Sequence, residues 1–186
     1  MKELSLNVLD ITQNSITAGA KHIEISLTEN EKGILTLRIS DDGCGMSQET
    51  VRRAIDPFYT TRTTRKVGMG IPLLKLAAEQ AGGEVQIVSQ TVEDAPNDHG
   101  TVVTATFDTQ SIDFTPVGDM VSTVCTLIQG HPEVDYLFEH RTASFDVGLD
   151  TAQLRAVLGA EVPLSDFEVI GWISDYLRQQ YQNQNQ

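Results

Sequence analysis

The sequence predicts an α+β fold, because stretches with helical spacing and stretches with strand alternation both occur along its 186 residues. Apolar residues recur at helical spacing between residues 3 and 18. They then alternate with polar residues over residues 23–27 and 35–39. Gly19 is well placed to end the helix in a left-handed conformation. We therefore expect a first helix followed by a hairpin of two half-buried strands.

Residues 48 to 107 predict two more helices and two more strands. A short helix is expected over residues 48–55. Residues 56–70 should form a loop, because they show no apolar periodicity and are rich in Thr, Arg and Gly. Proline is tolerated near a helix start, so the next helix begins around Pro72 and ends at Gly82. Alternation and β-branched residues then predict two strands, at residues 85–88 and 101–107.

The composition changes near residue 110, so we expect one unit over residues 1–110 and an acidic α+β extension over residues 111–186. Helices are predicted at 117–129, at 151–158 and from Ser165 or Asp166 to about 181, with strands at 134–138 and 143–147 around a turn at 140–142. We expect a small core in which Trp172 is buried rather than at an interface. Its other members are Leu127, Val134, Leu137, Phe138, Phe145, Leu154, Leu158, Phe167, Ile170, Ile173 and Leu177.

The formal net charge is −13. Residues 1–110 hold 10 basic and 15 acidic residues, and residues 111–186 hold 3 basic and 11 acidic residues. An acidic chain repels phosphate backbones, so binding to nucleic acid or to an anionic membrane is not expected. The acidic second half is either a solubilising surface or a docking face for a basic partner.

Two further features of the sequence concern location and metal binding. It contains no apolar run of the roughly 20 residues that span a bilayer, and residues 1–4 lack a long apolar signal segment. A cytoplasmic location is therefore expected. Cys44 and Cys125 have neither a CxxC spacing nor a histidine partner, which predicts reduced thiols and not metal ligands.

Four short segments in the first half, residues 10–14, 41–45, 56–61 and 68–70, offer the parts of a magnesium–nucleotide site. Asp10 and Asn14 share a helix face, where an amide oxygen suits Mg²⁺ and a carboxylate can orient a water. Asp41 ends a strand before a Gly turn, where it could accept a hydrogen bond from an adenine amine. Gly68-Met69-Gly70 opens a helix, and the positive end of a helix attracts anions.

Each segment alone also has an ordinary structural reading. The first is compatible with the polar face of an amphipathic helix, and the second with a common turn. Residues 60–66 concentrate three cationic and four hydroxyl side chains, which indicates phosphate contact or a solvated loop. The specific signal is that all four segments occur in this order.

In that order, residues 3–108 resemble the GHKL superfamily: gyrase B subunits, heat-shock chaperone ATPases, sensor histidine kinases and mismatch-repair ATPases. The family's N, G1, F and G2 boxes resemble residues 10–20, 41–46, 56–62 and 68–71. Gly100-Thr101 fits its closing strand. The resemblance is to a histidine-kinase-like ATP-binding domain (HATPase_c) that lacks the dimerisation hairpin with its phosphoacceptor histidine.

The resemblance implies a Bergerat-type two-layer α/β sandwich, with a mixed sheet, helices on one face and a small C-terminal α+β extension. It implies ATP and Mg²⁺ as ligands, with Asp10 as the catalytic carboxylate, Asn14 holding Mg²⁺ and Asp41 reading the adenine amine. Other residues expected to shape the pocket or border the nucleotide are Gly43, Gly45, Met46, Thr61, Arg62, Lys66, Gly68, Met69, Gly70, Ile71 and Thr101. Arg62 or Lys66 would approach the phosphates.

The sequence departs from the family in three ways. Hydrolytic members carry glutamate four residues before the asparagine, whereas this chain has Asp10, which predicts slow or absent hydrolysis. The segment between Thr61 and Gly68 is too short for a large moving lid. Only nine residues precede Asp10, so autophosphorylation like that of an ordinary sensor kinase is not expected. The histidines, His22, His99, His131 and His140, are expected to be surface or packing residues.

Three hypotheses remain open from the sequence. The first is a stand-alone Mg-ATP-binding protein, an ATPase or a nucleotide-dependent regulator of a partner. The second is a serine/threonine protein kinase of the anti-sigma or dehydrogenase-kinase style. The third is a non-catalytic ATP sensor or adaptor. In each, residues 111–186 would bind a partner protein or another copy of the chain.

Overall fold

The computed structural model describes residues 3–56, 69–159 and 161–183. In these residues, helices and strands follow one another as the sequence predicts. The helices are α1 (Leu4–Thr17), α2 (Gln48–Ile55), α3 (Gly70–Gln80), α4 (Met120–Gly130), α5 (Thr151–Leu158) and α6 (Phe167–Gln182). The strands are β1 (His22–Glu29), β2 (Ile34–Asp41), β3 (Val85–Gln90), β4 (Gly100–Asp108), β5 (Asp135–Arg141) and β6 (Asp146–Asp150).

The strands form one mixed sheet in the order β3-β4-β2-β1-β5-β6. β1 and β5 pair in parallel, and the other neighbouring pairs are antiparallel. The parallel pair joins residues on either side of position 110, because β1 belongs to the first half of the chain and β5 to the second. Residues 135–150 therefore extend the sheet that residues 22–108 begin.

Strand alternation places the core on one face of the sheet. Ile25 and Leu27 of β1 and Leu37 and Ile39 of β2 are fully buried, while the residues between them are more exposed. Helices α1, α3, α4 and α6 pack together over this face and bury their apolar stripes against it. The result is the two-layer α/β sandwich with helices on one face that the family resemblance implied.

Side-chain caps explain where four of the helices begin. Ser47 accepts a hydrogen bond from the Thr50 amide at the start of α2. Asp119, Asp150 and Asp166 cap α4, α5 and α6 in the same manner. A cap satisfies backbone N–H groups that have no partner inside the helix. α1 ends before Gly19, whose φ of +81° is the left-handed conformation predicted for it.

Three predictions for the second half are wrong. β5 continues through His140 and Arg141, so the turn lies at residues 142–145 and not at 140–142. β5 extends this far because the His140 ring is buried against Phe145 and Tyr181. The predicted core position of Trp172 is also wrong, because its side chain is 51% exposed.

The face of α6 that packs on the core explains this exposure. Val169, Ile173 and Leu177 recur at helical spacing and are buried, so they form the inward stripe. Trp172 directly precedes Ile173, lies about 100° around the helix from it, and points outward. Phe167, also predicted to be core, is 88% exposed at the first position of the helix.

The free edge of the sheet at β6 is closed by a side chain of α6. The Gly148 amide donates to Gln180 Oε1 at 3.0 Å, and Gln180 Nε2 donates to the Gly148 carbonyl at 3.0 Å. These two bonds replace those that a further strand would make at Gly148. Gln180 therefore protects an edge that would otherwise invite pairing with another chain.

Candidate functional site

Asp41 lies at the end of β2 and is held by two hydrogen bonds. Ser15 Oγ of α1 donates to Asp41 Oδ2 at 2.6 Å, and the Gly43 amide donates to Asp41 Oδ1 at 2.9 Å. Ser15 is 4% exposed, so the first bond is shielded from water. The carboxylate is thus fixed in orientation and joined to the residue that follows Asn14.

The turn after Asp41 packs tightly against neighbouring backbone. The Cys44 amide donates to the Ala18 carbonyl at 2.9 Å, and the Val92 amide donates to the Cys44 carbonyl at 3.1 Å. Gly45 has a φ of +71°, and a Cβ there would overlap the carbonyl of Gln90. Only glycine fits this position without moving the backbone of residues 90–91.

Ser89, which the sequence analysis did not single out, connects the turn to β4. Its hydroxyl accepts from the Met46 amide at 2.8 Å and donates to the Gly100 carbonyl at 3.0 Å. The Thr101 hydroxyl lies 2.8 Å from Ser89 Oγ. Because the Ser89 proton is used on Gly100, Thr101 is the donor of this pair. Thr101 can then only accept a hydrogen bond from a ligand.

His99 was also missed as part of this region. Its Nδ1 lies 2.7 Å from the Gly43 carbonyl oxygen. A carbonyl only accepts, so Nδ1 carries the proton and donates it. This contact links the segment before β4 to the turn that holds Asp41. Neither Ser89 nor His99 lies near residues 41–46 in sequence. The antiparallel pairing of β4 with both β2 and β3 brings them there.

Asp10 and Asn14 lie on the exposed side of α1, one turn apart. Asp10 adjoins the start of α3: a Cβ on Gly70 would lie 2.9 Å from Asp10 Cβ and 3.6 Å from Asp10 Oδ2. The absence of a side chain at Gly70 therefore allows the close approach of the two helices. Met69 at the N-cap is half exposed, and Ile71 is buried in the core.

Within residues 3–56, 69–159 and 161–183, no side chain caps the start of α3, and its first turn holds no acidic residue. The first N–H groups of a helix have no partner inside it, so a helix start of this kind can bind an anion. The structure brings together Asp10 with Gly70, and Asp41 with Gly43, Ser15 and its strand partner Thr101 of β4. Four predicted site residues, Thr61, Arg62, Lys66 and Gly68, lie outside the described residues.

Asp42, beside Asp41, faces the other way and joins the two halves of the chain. Its Oδ1 accepts from the amides of Lys21 and His22, and its Oδ2 lies 2.9 Å from His22 Nδ1. Burial acts to raise the pKa of Asp42, but the hydrogen bonds from His22 and Lys21 outweigh it and hold the pKa below its usual value. His22 Nε2 lies 3.6 Å from Asp135, which pairs with Arg155 of α5.

Comparison with known proteins identifies the fold and the family. Residues 1–111 match the model of the histidine kinase-, DNA gyrase B- and HSP90-like ATPase family. The tetrathionate sensor histidine kinase TtrS of Salmonella typhimurium is 33% identical over 98 residues, which cover 53% of this chain and 16% of TtrS. The sensor histidine kinase ZraS of Escherichia coli K12 is 30% identical over 84 residues, 45% of this chain and 18% of ZraS. The matches thus span less than a fifth of these kinases.

Solved structures extend the likeness in fold beyond the family model. The ATPase domain of Aquifex aeolicus MutL, solved with ADP, superposes with a TM-score of 0.55 at 13% identity, over 85% of this chain and 69% of that chain. The N-terminal domain of a DNA repair protein gives a TM-score of 0.56 at 16% identity, over 86% of this chain and 58% of that chain. Both superpositions cover more of the chain than residues 1–111. The match over residues 1–111, with the sandwich fold, places the chain in the histidine kinase-, DNA gyrase B- and HSP90-like ATPase family, with the GHKL ATP-binding domain that histidine kinases and MutL share.

Proposed function

We propose that this protein binds Mg-ATP between α1, α3 and the turn after β2, and uses the nucleotide to regulate a partner protein. Residues 1–110 would bind the nucleotide, and residues 111–186 would bind the partner. The observation that carries the proposal is the anchoring of Asp41 by Ser15 and Gly43 beside the Asn14 face of α1. A cytoplasmic location remains a prediction from composition.

The adenine side of the site would be formed by Asp41 and Thr101. Each carboxylate oxygen of Asp41 accepts one hydrogen bond from the protein, which leaves lone pairs for an exocyclic amine. A Cβ on Gly43 would lie 2.9 Å from Asp41 Oδ1, so glycine keeps space open beside the carboxylate. These features fit a ligand that presents an N–H donor to a fixed acceptor.

The phosphate side would be formed by Asp10, Asn14 and the start of α3. Mg²⁺ prefers oxygen ligands and usually keeps waters and substrate phosphates, so one amide oxygen from Asn14 is a sufficient protein contribution. The bound ion would neutralise phosphate charge close to Asp10. The backbone N–H groups at the start of α3 would donate hydrogen bonds to a phosphate oxygen. Asp10 would orient or deprotonate a water or a hydroxyl.

Isothermal titration calorimetry with ADP and Mg-ATP tests the binding site. Asp41→Asn should weaken ADP by at least about tenfold, because an amide NH₂ would replace an acceptor facing the adenine amine. Asp42→Asn is the matched control, since its carboxylate is occupied by Lys21 and His22. It should change ADP affinity by less than about twofold. Folded protein that binds neither nucleotide would refute the proposal.

The fate of the γ-phosphate distinguishes the three hypotheses on activity. Release of phosphate that Asp10→Ala abolishes would identify an ATPase, and Asp10→Glu should then raise the rate by extending the carboxylate one methylene. Label transferred to a serine or threonine of a bound partner would identify a protein kinase. Intact bound ATP, with a partner response that survives Asp10→Ala, would identify a sensor.

A further inference from the structure

A groove outside the proposed nucleotide site lies at the far edge of the sheet, between α5 and α6. We call it the α5–α6 groove. It has a volume of about 700 Å³. Its apolar lining includes Leu149 at the end of β6, Leu154 and Leu158 of α5, and Val169, Trp172 and Tyr176 of α6. The site residues Asp10, Asn14 and Asp41 do not line it.

Apolar surface continues from this groove onto the outside of the protein. Trp172 and Tyr176 stack with ring centroids 4.9 Å apart and planes 11° apart. Val157 on the opposite wall is 83% exposed, and Phe167, which directly precedes the lining residue Glu168, is 88% exposed. Small-molecule sites bury most of the ligand in a concave pocket, whereas extended exposed apolar surface marks a protein interface. Aromatic residues are also the most frequent anchors of such interfaces.

The kind of segment that fits is restricted by Gln180. Its amide already satisfies both main-chain groups of Gly148, the central residue of edge strand β6. A partner strand added to this edge would have to break both bonds. An α-helix has no such requirement, since its backbone hydrogen bonds are internal. The groove between two helices therefore favours a helix that lays an apolar face across it.

The negative charge of the groove and of residues 111–186 further restricts the kind of partner that can bind. Glu139, Asp150 and Glu168 stand among the lining residues of the groove. The three arginines of residues 111–186 already contact carboxylates: Arg141 with Glu139 and Asp146, Arg155 with Asp135, and Arg178 with Asp119. With 11 acidic and 3 basic residues in this half, a second copy would bring like charge to like charge. A cationic partner would gain from the same field.

We propose that the α5–α6 groove binds an amphipathic helix of a partner protein, with apolar side chains toward Trp172 and Tyr176 and lysine or arginine at its borders. This would supply the partner-binding surface of the proposed regulator. It stands on groove geometry and charge and does not require ATP binding. It is therefore tested without nucleotide, so that its failure and failure of the nucleotide site are separate results.

The probe is a labelled amphipathic peptide of about 18 residues, five helical turns, with Leu on one face and Lys on the other. One control peptide has the same composition in scrambled order, and another has Glu in place of Lys. Trp172 is the single tryptophan of the chain, so its emission reports occupation of the groove. Peptide anisotropy gives the dissociation constant. We expect the ordered Lys peptide to bind at least about tenfold more tightly than either control.

Matched variants locate the binding surface. Trp172→Ser should weaken the ordered peptide by about tenfold or more, whereas Leu76→Ser on α3, at nearly equal exposure of 50%, should leave it within about twofold. Phe167→Ser against Ile112→Ser repeats the comparison with residues 88% and 99% exposed, whose replacement leaves the core intact. Glu168→Lys should lower the affinity for the ordered peptide, and reduce the dependence of that affinity on salt, more than Glu93→Lys does.

Three results would overturn the proposal. If the scrambled peptide binds as tightly as the ordered one, the interaction rests on charge alone. If the Leu76 and Trp172 variants lose affinity equally, the peptide binds elsewhere. If sedimentation shows dimers that Trp172→Ser dissociates, a second copy of the chain occupies the groove.

Discussion

Replacing Ser15 by alanine removes one of the two hydrogen bonds that orient Asp41. The Ser15 hydroxyl donates to Asp41 Oδ2 at 2.6 Å, while the Gly43 amide bond to Oδ1 at 2.9 Å remains. Ser15 is a buried residue of α1, whereas Asp41 is partly exposed to the space that the nucleotide would occupy. The substitution therefore tests whether α1 fixes the carboxylate that we propose binds the adenine amine.

The expected cost follows from these contacts. A hydrogen bond to a charged group stabilises a protein by about 1.5–3 kcal/mol, and alanine regains up to about 0.5 kcal/mol in helix propensity. Ser15→Ala should therefore lower the free energy of unfolding by about 1–2.5 kcal/mol. Immobilising a freed side chain costs about 0.5–1.5 kcal/mol on binding, so the affinity for ADP should fall by about 2–12-fold.

Urea denaturation followed by circular dichroism, and calorimetry with ADP, measure the two effects. Ser5→Ala is the control, because Ser5 is a buried serine of the same helix whose hydroxyl donates to Glu3 at 3.2 Å. It should leave ADP affinity unchanged. If Ser15→Ala binds ADP as the wild type does, Asp41 either needs no support from α1 or does not contact the nucleotide, and the reasoning fails.

Gly45→Ala should lower the free energy of unfolding, measured in urea, by about 3 kcal/mol or more, because the added methyl group overlaps a carbonyl. Gly82→Ala, at a φ of +74° but in open space, should cost about 1–2 kcal/mol. Equal costs for the two variants would contradict the clash at Gly45. Burial lowers the pKa of His140 to about 4, so the unfolded chain takes up a proton first and stability falls as the pH drops from about 6.5 toward 4. Between pH 7.5 and 4.5 the wild type should lose about 2–3 kcal/mol more than His140→Gln in urea unfolding, and parallel losses would exclude this residue as the cause. Gln180→Leu should lower stability by about 1–3 kcal/mol and promote self-association at the uncovered β6 edge, as seen by size-exclusion chromatography. Gln179→Leu, on the exposed side of α6, should do neither.

Sequence periodicity predicted the elements of the first half because their signals are local. Apolar alternation over residues 23–27 and 35–39 becomes the β1–β2 hairpin, and Gly19 takes the left-handed conformation that ends α1. The turn predicted at residues 140–142 was wrong because a polar residue near the end of a strand resembles a turn residue. The His140 ring is buried by Tyr181, 41 residues later, and its Nδ1 lies 2.9 Å from the Tyr181 hydroxyl.

The candidate site was predictable only in part for the same reason. Motif order indicated Asp41 and Gly43, whose hydrogen bond spans two residues. Ser89 and His99 were missed because they contact this turn across 43 and 56 residues of sequence.

For Trp172, hydrophobicity suggested the core, but the spacing of Val169, Ile173 and Leu177 already defined a different inward stripe on α6. Periodicity was the better guide there, since it measures direction as well as apolar character.

The position of β1 in the sheet connects the nucleotide region with the α5–α6 groove. β1 pairs on one side with β2, which ends at Asp41, and on the other with β5, which lines the groove. The exposed contacts from Asp42 through His22 to Asp135 add little stability, but they join the turn beside Asp41 to Arg155 of α5. Coupling between two sites requires that each ligand change the affinity for the other, by the same factor in both directions. The affinity of the Lys peptide with and without ATP measures that factor. A ratio of one would mean that the two surfaces share a sheet but that their binding is not energetically coupled.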